Sequence, residues 1–306
     1  MGDRPDPSAT ELARLLLSTL DSLSAECPGL VGMVDLGAAD GALLAAVAQW
    51  RPAWQLLGVD VRPAPDGLPA GCRWRQAGWD VRTASWVGPD GRIAEPWADL
   101  AILGPLLVVG HEWLDELPCR VARREPQGWE LLGPDGPTGA RPDAAETAWL
   151  DRWAGTARVA EVGLTRDRAW AAVADRLPAG GVLVAVDYGH QRADRPAEGG
   201  LVGYRAGRRV APAADGRTNL SAPVAIDALA AAVEARPGVR RLLVSRQRDL
   251  VAGAPAPATT PAPAPATTLA GLVAANRRRL LADPDRWGAN RWLVHRVDSR
   301  RPRATS

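Results

Sequence analysis

Carboxylates stand at the ends of three apolar runs, where a folded chain seldom leaves them without solvent, a cap or a ligand. The run "LVGMV" leads into Asp35 and continues "LGAADGALL"; "WQLLGV" ends in Asp60; "LAILGPLLVV" opens into "GHEWLDELP" with His111, Glu112 and Asp115. Gly37 and Gly41, after the first run, would let the backbone approach a ligand closely and present free amide groups to it. A carboxylate at Asp60 could accept both hydroxyls of a ribose. Each feature also has a plainer explanation. The glycines fit an ordinary tight strand-to-helix turn, and Asp60, Glu112 and Asp115 fit helix capping.

The elements that must position these residues follow from hydrophobic periodicity. Residues 10–24 place leucine at helical intervals and predict an amphipathic helix. Short apolar runs predict strands at "LVGMVDLG", "WQLLGVDV", "DLAILGPLLVV" and "GGVLVAVDYGH", with a weaker one over 72–82. "GALLAAVAQW" and "TRDRAWAAVADRL" predict helices, the second with Thr165 at its N-cap. "CRVARREPQGWELLGPDG" alternates and breaks at Gly and Pro, as a β-hairpin does. Residues 220–235 read as a helix, and "VRRLLVSRQ" and "RWLVHRV" as strands. Strands alternating with helices predict an α/β fold: a mainly parallel sheet, helices on both faces, and a small hairpin and helical insertion at about 119–156. Ligands of such a sheet bind at the carboxyl ends of its strands. The glycine loop, Asp60 and the 111–115 cluster all fall there.

Composition narrows the class. A chain of 306 residues can bury a full core. Residues 1–253 read as the main unit and 254–268, "APAPATTPAPAPATT", as a low-complexity linker. Residues 269–298 read as a helix and strand completing the same domain, and 299–306 as a disordered tail. Basic and acidic totals of 37 and 35 nearly cancel, which argues against nucleic acid and anionic membrane as partners. Cys27, Cys72 and Cys119 fit no metal pattern; an odd count with no secretory leader predicts reduced thiols and a cytoplasmic location. No apolar run reaches bilayer-spanning length.

The second half adds "VDYGH" at 186–190, then Leu201, Tyr204 and Arg205, then "NLSAPV" at 219–224. The chain's two tyrosines, Tyr188 and Tyr204, and one of its three histidines, His190, fall in these stretches, and a second, His111, in the earlier cluster. Together with His111–Pro118 they resemble the MidA family of S-adenosylmethionine-dependent methyltransferases, whose mitochondrial members are assembly factors for respiratory complex I. The family's Asn-Glu-aromatic-x-Asp-Ala-Leu-Pro corresponds to His111 through Pro118. Its Asp-Tyr-Gly corresponds to Asp187, Tyr188 and Gly189. The resemblance runs from about residue 32 to 297. It implies a class I methyltransferase fold, S-adenosylmethionine as cofactor, and an arginine side chain on a protein as methyl acceptor. It further implies that Asp35, Gly37, Gly41, Asp60 and His111 hold the cofactor. Glu112 and Asp115 would then grip the guanidinium, with Tyr188 on the substrate side.

The chain departs from the pattern in three ways. His111 stands for the usual Asn, Pro223 stands for a His, and the glycine loop has Ala38 and Ala39 where glycine is common. The family's N-terminal segment carries a Gly-Tyr-Tyr-like motif that helps close the active site, and only a short stretch precedes the first strand here. These departures keep two other readings open: a methyltransferase of small molecules in specialised metabolism, and a scaffold that binds the cofactor without transferring methyl groups. The glycine spacing is wrong for a nicotinamide dehydrogenase. The sequence leaves homodimerisation open.

Overall fold

The apolar runs form one seven-stranded sheet. The computed structural model describes residues 7–253 and 268–299, so the predicted linker and tail lie, apart from Thr268 and Ser299, outside the described residues. The strands are β1 (Gly32–Leu36), β2 (Gln55–Asp60), β3 (Cys72–Gln76), β4 (Leu106–His111), β5 (Val182–Asp187), β6 (Val239–Arg246) and β7 (Arg291–Val297). Their spatial order is β6-β7-β5-β4-β1-β2-β3. β7 runs antiparallel to both neighbours, and every other pairing is parallel. Register sets Leu36 beside Val59 and Gly110, and His111 beside Val186, so the carboxyl ends of β1, β2, β4 and β5 share one edge.

Five helices of the described residues concern the site: α1 (Pro7–Ser22), α2 (Ala42–Trp50), α3 (Leu164–Asp175), α4 (Ile226–Glu234) and α5 (Leu269–Ala282). β1 is buried throughout, as strands covered on both faces must be. Its side chains alternate between two cores. Val34 and Leu36 join Trp170 of α3 and Leu229 of α4, whereas Met33 joins Leu16 and Leu17 of α1 and Leu44 of α2. Asp35 therefore faces α1 and α2. So does His111, which follows Leu107 and Val109 on that side of β4.

Several predicted boundaries move. The stretch 72–82 is two elements: β3 stops at Gln76, and Gly78–Asp80 turns away to pair with Ser85–Val87. That hairpin sets Trp79 opposite Trp86 and buries both, a larger apolar gain than a longer edge strand offers. "DLAILGPLLVV" begins as a helical turn, Ala98–Ala101, and becomes a strand only after Gly104 and Pro105 break it. Gly163, not Thr165, occupies the N-cap of α3; the Thr165 hydroxyl donates to Pro118 O at 2.8 Å. Residues 220–235 are helical only from Ile226, because Asn219–Ser221 pairs with Val202–Arg205 and Val224–Ala225 pairs with Gly189–His190.

The hairpin excursion, Val121–Glu125 with Gly128–Gly133, grows into a four-stranded sheet by taking up Gly136–Pro137 and Val159–Glu161. With helix Ala144–Trp153 it closes a separate small core around Trp129, Trp149 and Leu150. Cys27, Cys72 and Cys119 are free thiols. Among the described residues no helix is long and apolar enough to cross a membrane, and no cluster of His, Cys, Asp or Glu could hold a metal ion.

Candidate active site

The loop between β1 and α2 turns through left-handed backbone. Gly37 has φ +70° and Gly41 φ +74°, and Ala39 between them adopts φ +54° despite its Cβ. The two glycine amides expected to be free are engaged, as are those of Ala39 and Ala42. Gly37 N–H donates to Val59 O at 2.9 Å, Ala39 N–H to Asp60 Oδ2 at 2.9 Å, Gly41 N–H to Ala38 O at 2.7 Å and Ala42 N–H to Asp40 Oδ1 at 3.0 Å. The loop contributes a close backbone surface instead. Trp113 exploits the space, since a Cβ on Gly37 would come within 3.0 Å of its ring.

Asp60, at the end of β2, is buried and already engaged. Arg62 grips it with Nε to Oδ1 at 2.9 Å and Nη2 to Oδ2 at 3.0 Å, and the Arg62 N–H adds a third bond at 2.9 Å. Burial pushes the Asp60 pKa up, but the Arg62 and Ala39 hydrogen bonds outweigh it and hold the carboxyl below its usual range. A ribose reaching Asp60 must share it with a guanidinium whose side chain is 60% exposed and free to swing away.

At the exit of β4 the chain kinks at Glu112, whose φ is +49°. Its N–H donates to Val186 O at 2.8 Å, and its Oε1 accepts Asn290 Nδ2 at 3.2 Å. Residues 114–116 form a turn that no helix continues, so Glu112 and Asp115 have no helix to cap. The capping explanation fails for both.

The two acids diverge from there. Glu112 is exposed, whereas Asp115 is buried and lines neither of the cavities described below. Asp115 Oδ2 accepts the Ser221 hydroxyl at 2.7 Å, and its N–H donates to Asp187 Oδ1 at 3.0 Å. Burial pushes the Asp115 pKa up to about 6, against the Ser221 bond and with repulsion from Glu112 and Glu116. Asp187 is completely buried and raised well above its ordinary value, by burial first and by Asp115 next. Arg166 of α3, also buried, holds this region together by donating to the carbonyls of Asp115, Leu117, Ala222 and Pro223.

Two cavities meet at the carboxyl edge of the sheet. The larger, about 700 Å³, extends from Gly37 and Ala39 past Asp60 and Arg62 to Trp79, Trp86 and Trp113. Trp113 stacks on Trp86 at 5.5 Å with 8° between planes, and both rings are buried at the base of this cavity. The smaller, about 190 Å³, is lined by the acids Asp35, Asp40 and Glu112 and by the apolar Leu12, Leu43, Leu281 and Trp287. Gly37, Ala39, His111 and Glu112 line both. Asp35 is pushed up to about 8 by burial, with Asp60 and Asp40 adding to the shift. Burial also lowers the His111 pKa, against the pull of Glu112, and favours a neutral imidazole.

The structure thus brings Asp35, Gly37, His111 and Glu112 together around the smaller cavity, with Asp60 in the larger one. Gly41 shapes the loop but lines neither. Tyr188, 46% exposed, lines neither cavity, and its carbonyl accepts Val224 N–H at 2.9 Å. Arg205 is ion-paired with Asp215, and His295 is buried in β7 beside Glu234. Arg166, Trp287 and Asn290 escaped sequence reasoning. None sits in a motif, and an arginine within a helical pattern reads as surface.

Residues 85–244, just over half the chain, match the family described as "Putative S-adenosyl-L-methionine-dependent methyltransferase". That stretch contains the His111–Pro118, Asp187–Gly189 and Asn219–Val224 motifs. No curated protein matches. Among solved structures, the chain is similar to a protein from Burkholderia thailandensis crystallised with S-adenosyl-homocysteine: 20% identity, TM-score 0.66, covering 96% of this chain and 78% of that one. A native structure of a protein of the same superfamily, also from Burkholderia thailandensis, gives 20% identity and TM-score 0.65, covering 95% and 82%. At this identity the two comparisons establish the fold, the class I methyltransferase sheet. By the family match and its motifs, the chain belongs to the S-adenosyl-L-methionine-dependent methyltransferases of the MidA-like family.

Proposed function

We propose that the protein methylates a cationic nitrogen, with an arginine side chain of a protein as the acceptor its motifs favour. The observation that carries this reading is Glu112: an exposed carboxylate at the junction of the two cavities, with no ion pair among the described residues. Among the described residues the smaller cavity is lined by three acids and no arginine, so it suits a positive acceptor over a negative one.

The residues present fit the cofactor. The larger cavity, with Val59, Val61 and Trp79 in its lining, can pack an adenine, Asp60 can take the ribose once Arg62 yields, and Asp35 can meet the methionine ammonium. Asp35 has no hydrogen-bond partner among the described residues, and a cation beside it would restore its charge. Bound S-adenosylmethionine supplies an electrophilic methyl group on a sulfonium.

This chain's residues then act on the acceptor. A guanidinium is protonated at physiological pH, and its nitrogen lone pairs are delocalised. Glu112 can accept two of its N–H bonds, aim one nitrogen and favour loss of a proton as the new bond forms. The apolar lining of the cavity, Leu12, Leu43, Leu281 and Trp287, encloses the alkyl stem and excludes water. Asp115, behind this surface, supports the loop through Ser221 and makes no direct grip. Tyr188 meets a protein acceptor outside the cavities.

A small cationic metabolite fits the same cavity, and its apolar wall favours that second reading. Transfer of labelled methyl groups to an arginine tripeptide, to a protein lysate and to its small-molecule fraction separates the two. No transfer to any of them by cofactor-loaded protein would sink both.

A further inference from the structure

Asn290 stands immediately before β7 and is 3% exposed. Its Nδ2 donates to Glu112 Oε1 at 3.2 Å. Its backbone is pinned on both sides: the N–H donates to Trp287 O at 3.0 Å, and the carbonyl accepts Gln247 N–H at 2.8 Å. Gln247 is fully buried; it donates to Leu281 O at 3.2 Å and accepts the Trp292 indole N–H at 3.0 Å. Leu281 and Trp287 line the same cavity as Glu112. The 281–290 segment is therefore both a wall of the cavity and the source of a donor to its carboxylate.

Glu112 needs such a donor. Its left-handed backbone is a conformation few residues with a Cβ adopt, and an exposed glutamate without an anchor spreads over many rotamers. The nature of the donor matters too. An arginine or lysine at position 290 would cancel the carboxylate's charge. An amide anchors one oxygen and leaves both the charge and the second oxygen for a cation.

We propose that Asn290 is a positioning residue for methyl transfer: its amide aims the Glu112 carboxylate into the cavity with its charge intact, and so selects a cationic acceptor. This rests on the role given to Glu112 above.

A double-mutant cycle on S-adenosyl-homocysteine-loaded protein tests the contact without any acceptor. Glu112→Ala, Asn290→Ala and the double variant are melted in parallel. The double variant should lose less than the sum of the singles, by roughly 1–3 °C for one hydrogen bond to a charged group. Strict additivity overturns the proposal. Asn290→Asp, which keeps the shape and reverses the donor, replaces Asn290→Ala if the alanine variant does not fold.

Transfer to glycyl-arginyl-glycine tests the consequence. Asn290→Ala should lower kcat roughly tenfold, with S-adenosyl-homocysteine affinity within about twofold of wild type. In a Glu112→Gln background, where no charge remains to aim, the same substitution should change kcat by less than about twofold. An equal loss in both backgrounds would mean that Asn290 only packs the wall, and overturns the proposal. A wild type inert on both the tripeptide and the protein lysate would instead sink the arginine reading, leaving the melting cycle to decide whether Asn290 holds Glu112.

Discussion

The N–H of Asp115 donates to Asp187 Oδ1 at 3.0 Å, so the end of β5 fixes the turn that leaves β4. Both carboxyls are buried, and Asp115 Oδ1 and Asp187 Oδ2 have no hydrogen-bond partner among the described residues. Two such groups cannot both ionise cheaply.

Their raised pKa values make stability depend on pH in a definite direction. A carboxyl raised in the folded state favours folding at low pH, where the folded protein holds a proton that the unfolded chain releases. That contribution is lost as pH climbs from the ordinary carboxylate range through about 6 for Asp115, and higher for Asp187. Asp187→Asn keeps an acceptor for the Asp115 N–H and removes the titration. Its melting temperature relative to wild type should rise by a few degrees between pH 5 and pH 8. A constant difference across that range would contradict the assignment.

Asp60 and Arg62 should affect cofactor binding in opposite directions. Asp60→Ala removes the carboxylate proposed to accept the ribose and should weaken S-adenosyl-homocysteine binding by roughly 1.5–3 kcal/mol. Arg62→Ala frees the carboxylate from its present partner and should leave binding unchanged or up to about threefold tighter. Calorimetry on both variants decides. A tenfold loss with Arg62→Ala would place the guanidinium on the ligand.

Glu112→Gln should separate chemistry from cofactor binding. The change preserves an acceptor for Asn290, removes the charge and presents N–H donors to the donors of a guanidinium. A loss of roughly 2–4 kcal/mol in transition-state stabilisation is expected, about 30- to 1000-fold in rate. S-adenosyl-homocysteine affinity should move little. Equal transfer by both proteins would make Glu112 a bystander.

Arg166→Ala should be among the costliest changes near the site. It strips four backbone carbonyls of a buried forked donor, and a loss of roughly 3–5 kcal/mol is expected. Arg166→Lys should recover little, because an ammonium cannot reproduce the fork. Thermal melts of the two variants measure this. A lysine variant as stable as wild type would show that charge alone, not the fork, holds the loop.

The sequence by itself determined the sheet, because apolar runs and helical spacing are local patterns that survive any later packing. β1, β2, β5 and β7 appear where those patterns put them, and the carboxyl-edge rule alone was enough to gather Asp35, Asp60 and Glu112. Where a longer-range burial competed, local reading failed. Trp79 meets Trp86 in place of extending β3, and strand pairing of Asn219–Ser221 and Val224–Ala225 with distant segments delays a helix that composition starts earlier. Glu112 and Asp115 read alike in sequence, and only the fold separates them. A left-handed turn sends one toward the cavities, while Ser221 and the end of β5 draw the other inward. Asn290 reaches Glu112 across 178 residues of chain, and a contact that distant leaves no mark on the local pattern of either residue.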